Sequence, residues 1–143
     1  MQLEFGPEPV HSAKENTIVL LVEDSKLLRL AGERALHRAG YRVCTAADGE
    51  AALRSAGENH PHVILLDMLL PKVSGLEVLR ALKRNDQTKN IPVIVLTSLA
   101  QANEAKLMSE GAAAFFEKSE HILQDDYSEL LHKVESVLTK SGE

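Results

Sequence analysis

The chain has 143 residues, 44% hydrophobic and 26% charged, with a formal net charge of −5; this suits one soluble globular domain with a single well-buried core. The mild acidity and the 3% aromatic content argue against a nucleic-acid surface, which needs a basic patch or stacking rings. Lone Cys44 can form no internal disulfide, the apolar runs are far shorter than the ~18 residues of a membrane span, and the N-terminus (Glu4, Gly6, Pro7, Glu8, Pro9) has no signal-peptide core, so a cytoplasmic protein without a membrane partner is expected.

Residues 1–16 read as a flexible tail, and 17–140 as one domain. The run 17–22 is continuously apolar or β-branched, as in a strand buried on both faces of a parallel sheet. Asp24 or Ser25 can cap the helix that follows, which carries an apolar stripe of Leu27, Leu28, Ala31, Ala35 and Leu36 and stops at Gly40. A second strand is expected over 41–46, then a short helix capped by Asp48 and ending near Gly57. The third strand is expected over 62–66. A loop with Pro71 and Gly75 then leads to a helix bearing Leu76, Val78, Leu79 and Leu82. Further strands are expected over 91–96 and 113–116, with a helix over 102–110 between them that Gly111 stops. Tyr127, Leu130, Leu131, Val134, Val137 and Leu138 mark the last helix. Five βα units in strict alternation predict an α/β fold: a doubly wound, flavodoxin-like five-stranded parallel sheet of order 2-1-3-4-5 with helices on both faces.

In such a sheet, ligands bind beyond the carboxyl ends of the strands. Strand one ends in Glu23-Asp24, strand three in Asp67, strand four in Thr97-Ser98, and strand five runs out at Lys118. The expected strand order makes these ends neighbours around one cleft. Carboxylates this close repel and call for a hard cation, and a few carboxylates with waters and a phosphate suit Mg²⁺. The hydroxyl and the ammonium can hold phosphoryl oxygens. No Gly-rich phosphate loop of the Walker kind is present, so the phosphoryl donor is expected to be a protein.

The stretch Leu20-Leu21-Val22-Glu23-Asp24-Ser25 resembles the first strand and acidic pair of response-regulator receivers. Asp67-Met68-Leu69-Leu70-Pro71 followed by Ser74-Gly75 resembles their phosphoacceptor loop. Val93 to Thr97-Ser98 and Phe115-Phe116-Glu117-Lys118 are similar to the fourth strand with its switch hydroxyl and the fifth with its lysine. The resemblance covers roughly 17–140 and is closest in kind to stand-alone, chemotaxis-type receivers. It implies that Asp67 takes a phosphoryl group from the phosphohistidine of a sensor histidine kinase or phosphotransfer protein. It also implies Mg²⁺, with Mn²⁺ able to substitute, held by Glu23, Asp24, Asp67 and the backbone carbonyl of Leu69. Thr97 and Lys118 would bind the phosphoryl group, and Phe115 would be the switch aromatic. The output would be a changed surface, made of the helix over 102–110, strand five and the last helix, read by a separate downstream protein.

Two positions depart from that family pattern. Ser119 stands where proline, joined by a cis peptide, commonly follows the lysine. A non-proline cis bond costs ~2.5–4 kcal/mol, so a trans bond and a different course over 120–126 are expected. Phe115 keeps the ring of the usual switch tyrosine and lacks its hydroxyl. The six histidines lack metal-ligand spacing and read as structural or exposed, and Cys44 reads as a small core residue. An aspartyl-nucleophile phosphatase would need a second Asp two residues after Asp67, where Leu69 stands. The 143 residues leave no room for a DNA-binding or enzymatic output domain, so the chain reads as a stand-alone receiver or as a fragment of a larger regulator.

Overall fold

The computed structural model describes residues 14–97, 104–118, 122 and 127–140. Among the described residues from Ile18 onward, five strands alternate with five helices: β1 (Ile18–Val22), α1 (Lys26–Arg38), β2 (Arg42–Ala46), α2 (Gly49–Asn59), β3 (Val63–Asp67), α3 (Gly75–Arg84), β4 (Val93–Thr97), α4 (Glu104–Ser109), β5 (Ala114–Glu117) and α5 (Ser128–Lys140). All pairings are parallel and the order is β2-β1-β3-β4-β5, as the alternation of elements predicts.

Side chains alternate across the pleat, so each central strand feeds two separate apolar clusters. Val19, Leu21, Val63, Leu65, Ile94 and Leu96 face α1 and α5, meeting Leu36, Leu130 and Val134. Leu20, Val22, Ile64, Leu66, Val93 and Val95 face α2, α3 and α4, meeting Ala52, Leu79, Leu82 and Leu107. Central strands with two buried faces explain why β1, β3 and β4 read as unbroken apolar runs. The helices start where short polar side chains can accept their free N–H groups. Ser25 accepts from Leu28, Asp48 from Ala51, and Ser74 makes a reciprocal capping box with Glu77.

The differences from the sequence expectation are local. Strands three, four and five each lie further along the chain than expected, and β3 and β4 take in Asp67 and Thr97 themselves. His62 lies just before β3: its N–H donates to the Ile18 carbonyl at 2.8 Å, but the Ile18 N–H goes to the ring Nδ1 at 3.0 Å and not to a main-chain acceptor. Pro92 has no N–H to give to the ladder at the start of β4. Helix α2 runs past Gly57 to Asn59 and ends on His60 in the left-handed conformation, φ 49°. Gly75 belongs to α3 as its first residue, and Tyr127 precedes α5 at φ 63°. Cys44 is only half-buried, because β2 is an edge strand. Phe115 and Phe116 face opposite clusters and both are half-buried, since β5 is the other edge.

Of the expected tail, Lys14 lies against the body while Glu15 and Asn16 are exposed: the Lys14 carbonyl accepts from Thr17 N–H at 2.9 Å and its ammonium sits 5.6 Å from the Tyr41 ring centre. The remainder of that tail, the start of the helix expected at 102, Ser98, the Lys118–Ser119 bond and most of 120–126 lie outside the described residues.

Candidate functional site

The carboxyl ends of β1, β3, β4 and β5 meet at one edge of the sheet, and the parallel ladder sets which residues face each other there. Asp67 lies opposite Leu96 and Thr97 opposite Glu117, while Glu23 and Asp24 follow directly from the last pair of β1. Glu23, Asp24 and Asp67 each present a carboxylate oxygen, all within 4.8 Å of one another. Two unit charges at that separation repel by about 3 kcal/mol at an effective dielectric of ~20, and by less where Asp24 is exposed. Asp67 and Glu23 are only 3% and 4% exposed, so water screens their mutual repulsion poorly.

Lys118 offsets that repulsion. Its Nζ donates to Glu23 Oε1 at 3.0 Å and to Asp67 Oδ2 at 3.1 Å. Burial works against the ammonium, yet the charges of Asp67 and Glu23 outweigh it and hold the lysine above its ordinary range. Burial likewise pushes the Glu23 carboxyl up; Lys118 draws it back and Asp67 adds to the rise. The free oxygens have backbone donors. Asp67 Oδ1 accepts from Leu69 N–H at 3.1 Å, and Glu23 Oε2 accepts from Ser25 N–H at 3.2 Å. Thr97 is 5% exposed at the end of β4, and its carbonyl accepts the Lys118 N–H at 2.6 Å, which ties the lysine's backbone to the neighbouring strand.

The loop after Asp67 is held just as closely. Val73 N–H donates to Pro71 C=O at 2.7 Å across Lys72, whose φ is 69°; this is a γ-turn of the strained kind. Gly75 then packs so tightly that a Cβ there would come 2.5 Å from the Asp67 carbonyl oxygen and 2.6 Å from Met68 Cα. Leu69 is 62% exposed beside this turn. Phe115 lies one strand away, opposite Val95, and packs on the α2–α4 side.

The structure therefore brings Glu23, Asp24, Asp67, Leu69, Thr97 and Lys118 to one place, as expected from the strand ends. Three features were not anticipated. Lys118 serves Glu23 as well as Asp67, across 95 residues of sequence. Arg29, in the first turn of α1, reaches back to the carbonyls of Glu23 and Asp24. Tyr127 donates its hydroxyl to the Leu28 carbonyl at 3.0 Å, tying the start of α5 to that same turn. Only Arg29 left a trace in the sequence, as a cation in a helical turn where an acid would be favoured.

Among known proteins, the response regulator receiver domain matches over residues 19–139. The transcriptional regulatory protein AfsQ1 of Streptomyces coelicolor is 45% identical over 80 residues, 56% of this chain; that stretch is 34% of AfsQ1, about a third of its length. The polar-differentiation response regulator DivK of Brucella ovis is 37% identical over 101 residues, covering 70% of this chain and 82% of DivK. The response regulator TrrA of Thermotoga maritima, solved in complex with Mg²⁺–BeF, superposes with a TM-score of 0.73 at 28% identity, over 85% of this chain and 98% of that one. No helix among the described residues is long and apolar enough to cross a membrane. With a match that runs from β1 into α5 and takes in the whole acidic cleft, the chain belongs to the response regulator receiver family.

Proposed function

We propose that this chain is a phosphoacceptor: Asp67 takes a phosphoryl group from the phosphohistidine of a histidine kinase or phosphotransfer protein, and the phosphorylated form is read by a separate protein in the cytoplasm. The observation that carries this reading is the pairing of Asp67 with Lys118 inside a three-carboxylate cleft, at 3.1 Å. A solitary strand-end Asp is commonly a helix cap. Here Asp67 caps no helix, because Ser74 caps α3, and it is buried beside Glu23 and Asp24 with Lys118 as its cationic partner, an arrangement that further positive charge stabilises.

The donor set fits a hard divalent cation. Three clustered carboxylate oxygens with one lysine leave excess negative charge in a partly buried cleft. Glu23, Asp24, Asp67 and the Leu69 carbonyl would hold Mg²⁺, with Mn²⁺ as a substitute. When bound, the ion would neutralise the carboxylates and offset charge on the phosphoryl oxygens. The chain's own groups do the rest. Lys118 on Oδ2 and Leu69 N–H on Oδ1 fix the Asp67 carboxylate plane, so that one oxygen is presented to the incoming phosphorus. A P–O bond forms as the P–N bond to the donor imidazole breaks, and the imidazole keeps that electron pair. The Lys118 ammonium and the Thr97 hydroxyl then bind phosphoryl oxygens. Drawing Thr97 inward would open space for the Phe115 ring and re-pack α4, β5 and the start of α5 as the output surface. A charge-assisted hydrogen bond plus one ring re-packing supplies the few kcal/mol that a population shift needs.

With Mg²⁺ and acetyl phosphate, intact-protein mass spectrometry should show one acid-labile phosphoryl group, absent from Asp67→Asn. Labelling that persists in that variant, or that maps to a Ser or His, would overturn the reading.

A further inference from the structure

We propose that Arg29 is a positioning residue for the divalent-cation site, holding the two peptide planes that flank Asp24 so that the Glu23 and Asp24 carboxylates converge on Asp67. The inference rests on the phosphoacceptor reading above and names a residue that touches none of the reacting atoms.

One nitrogen of the guanidinium serves two consecutive peptide units. Arg29 Nη1 donates to the Glu23 carbonyl at 2.9 Å and to the Asp24 carbonyl at 3.3 Å. Peptide units are planar, so fixing the planes before and after the Asp24 Cα fixes that residue's φ and ψ, and with them the direction in which its carboxylate leaves the chain. The rest of the turn is tied down around this point. Glu23 N–H donates to Ala46 C=O at 3.0 Å, Ser25 N–H to the Glu23 carboxylate at 3.2 Å, and Arg29 N–H to Ser25 C=O at 2.8 Å. Asp24 is the exposed member of the acidic trio, so its backbone is what aims it.

A second observation is electrostatic. The first turn of α1 contains no acidic residue, while Lys26 and Arg29 both stand there. Cations at a helix N-terminus oppose the helix dipole, so Arg29 works against the stability of its own helix. Its gain lies in the carbonyls it holds. A charged donor to a carbonyl whose residue is 4% exposed offsets the cost of burying that carbonyl. The guanidinium bonds main-chain carbonyls and not the carboxylate oxygens that a cation would use.

The test separates affinity for the cation from the rate of phosphoryl transfer. Mn²⁺ binding, followed by electron paramagnetic resonance of the free ion, is compared in the wild type, Arg29→Met and Arg29→Lys, alongside the Mg²⁺ dependence of labelling by acetyl phosphate. Loss of an outer-shell orienting group typically weakens metal binding by about 10–100-fold. Arg29→Met should raise the Mn²⁺ dissociation constant, and the Mg²⁺ concentration for half-maximal labelling, by at least about tenfold. The labelling rate at saturating Mg²⁺ should stay within about twofold of wild type, since the reacting atoms are untouched. Arg29→Lys, which keeps the charge but places its one nitrogen a bond nearer the backbone than Nη1, should fall between the two. Unchanged Mn²⁺ affinity in a folded Arg29→Met, or a fall in the saturating rate with affinity intact, overturns the proposal. If Arg29→Met does not fold, Arg29→Lys decides the matter alone, and wild-type affinity there counts against the positioning role. A wild type that binds no Mn²⁺ would instead bring down the phosphoacceptor reading, and this inference with it.

Discussion

Replacing Lys118 by Met removes the cation shared by two buried carboxylates and keeps most of the apolar stem. Its Nζ lies 3.0 Å from Glu23 and 3.1 Å from Asp67, and the carboxylate side chains are 5% and 4% exposed. At that range each attraction reaches about 5 kcal/mol at an effective dielectric of ~20, before any desolvation is charged against it. The net loss is smaller, because the lysine no longer has to be desolvated and the carboxylates can draw in water or protons. Removing one partner of a buried ion pair generally costs about 3–5 kcal/mol, and the low end suits a cleft that opens to solvent at Asp24. Urea unfolding at pH 7 with a metal chelator, followed by far-ultraviolet circular dichroism, should therefore show Lys118→Met less stable by about 3 kcal/mol at an unchanged m-value. Millimolar Mg²⁺ should recover part of that deficit, since it supplies positive charge to the same oxygens. A loss below about 1 kcal/mol, or one indifferent to Mg²⁺, would refute the view that Lys118 is what makes the apo cleft tolerable.

Tyr127 carries the clearest pH dependence: burial first, and the nearby Glu23 charge second, push its hydroxyl to about 12. The folded state then keeps a proton that the unfolded chain gives up from about pH 10, so stability should fall as pH rises from about 10 to 12, by roughly 2–3 kcal/mol at most. Tyr127→Phe should be about 1 kcal/mol less stable at pH 7, having lost the bond to Leu28, but should show a shallower alkaline decline in pH-resolved urea titrations; equal slopes would exclude the assignment. Gly75→Ala forces a methyl against the Asp67 carbonyl and Met68 Cα, so a loss of about 1–3 kcal/mol together with slower labelling by acetyl phosphate is expected, and an unperturbed variant would contradict that packing. His60→Gly, at an exposed left-handed C-cap, should stabilise by about 0.5–1 kcal/mol in thermal or urea unfolding, whereas a destabilised variant would mean that the imidazole makes an unrecognised contact.

The reactive side chains were legible because each sits where an apolar run stops. Val63 to Leu66 are fully buried, so the charge at Asp67 could only stand at the ladder's end, and Thr97 follows from β4 in the same way. The strand bounds were less legible, because polarity marks where burial ends and backbone pairing continues past it. Asp67 and Thr97 are both still in the ladder. The supporting contacts were hidden for a different reason. Arg29 and Tyr127 act on main-chain carbonyls, which every residue carries, so nothing in the side-chain pattern of 23, 24 or 28 announces a partner. Lys118 with Glu23 is a contact between distant strand ends, settled only once the fold sets their spacing. His60 shows the limit of local rules: Gly57 offered the easier stop, and α2 continued past it to Asn59.

The sheet separates two apolar clusters that share no side chain, although neighbouring residues of one strand belong to different clusters: Leu65 to one and Leu66 to the other. The chain thus has two interiors with a common wall. Substitutions on opposite sides touch no common partner, so their energies should add to within ~0.3–0.5 kcal/mol. Sequence change can accordingly retune the α2–α4 side without disturbing the α1–α5 side, where Arg29 and Tyr127 hold the acidic turn. The cleft at the strand ends draws on both sides, and there the two interiors cease to be independent.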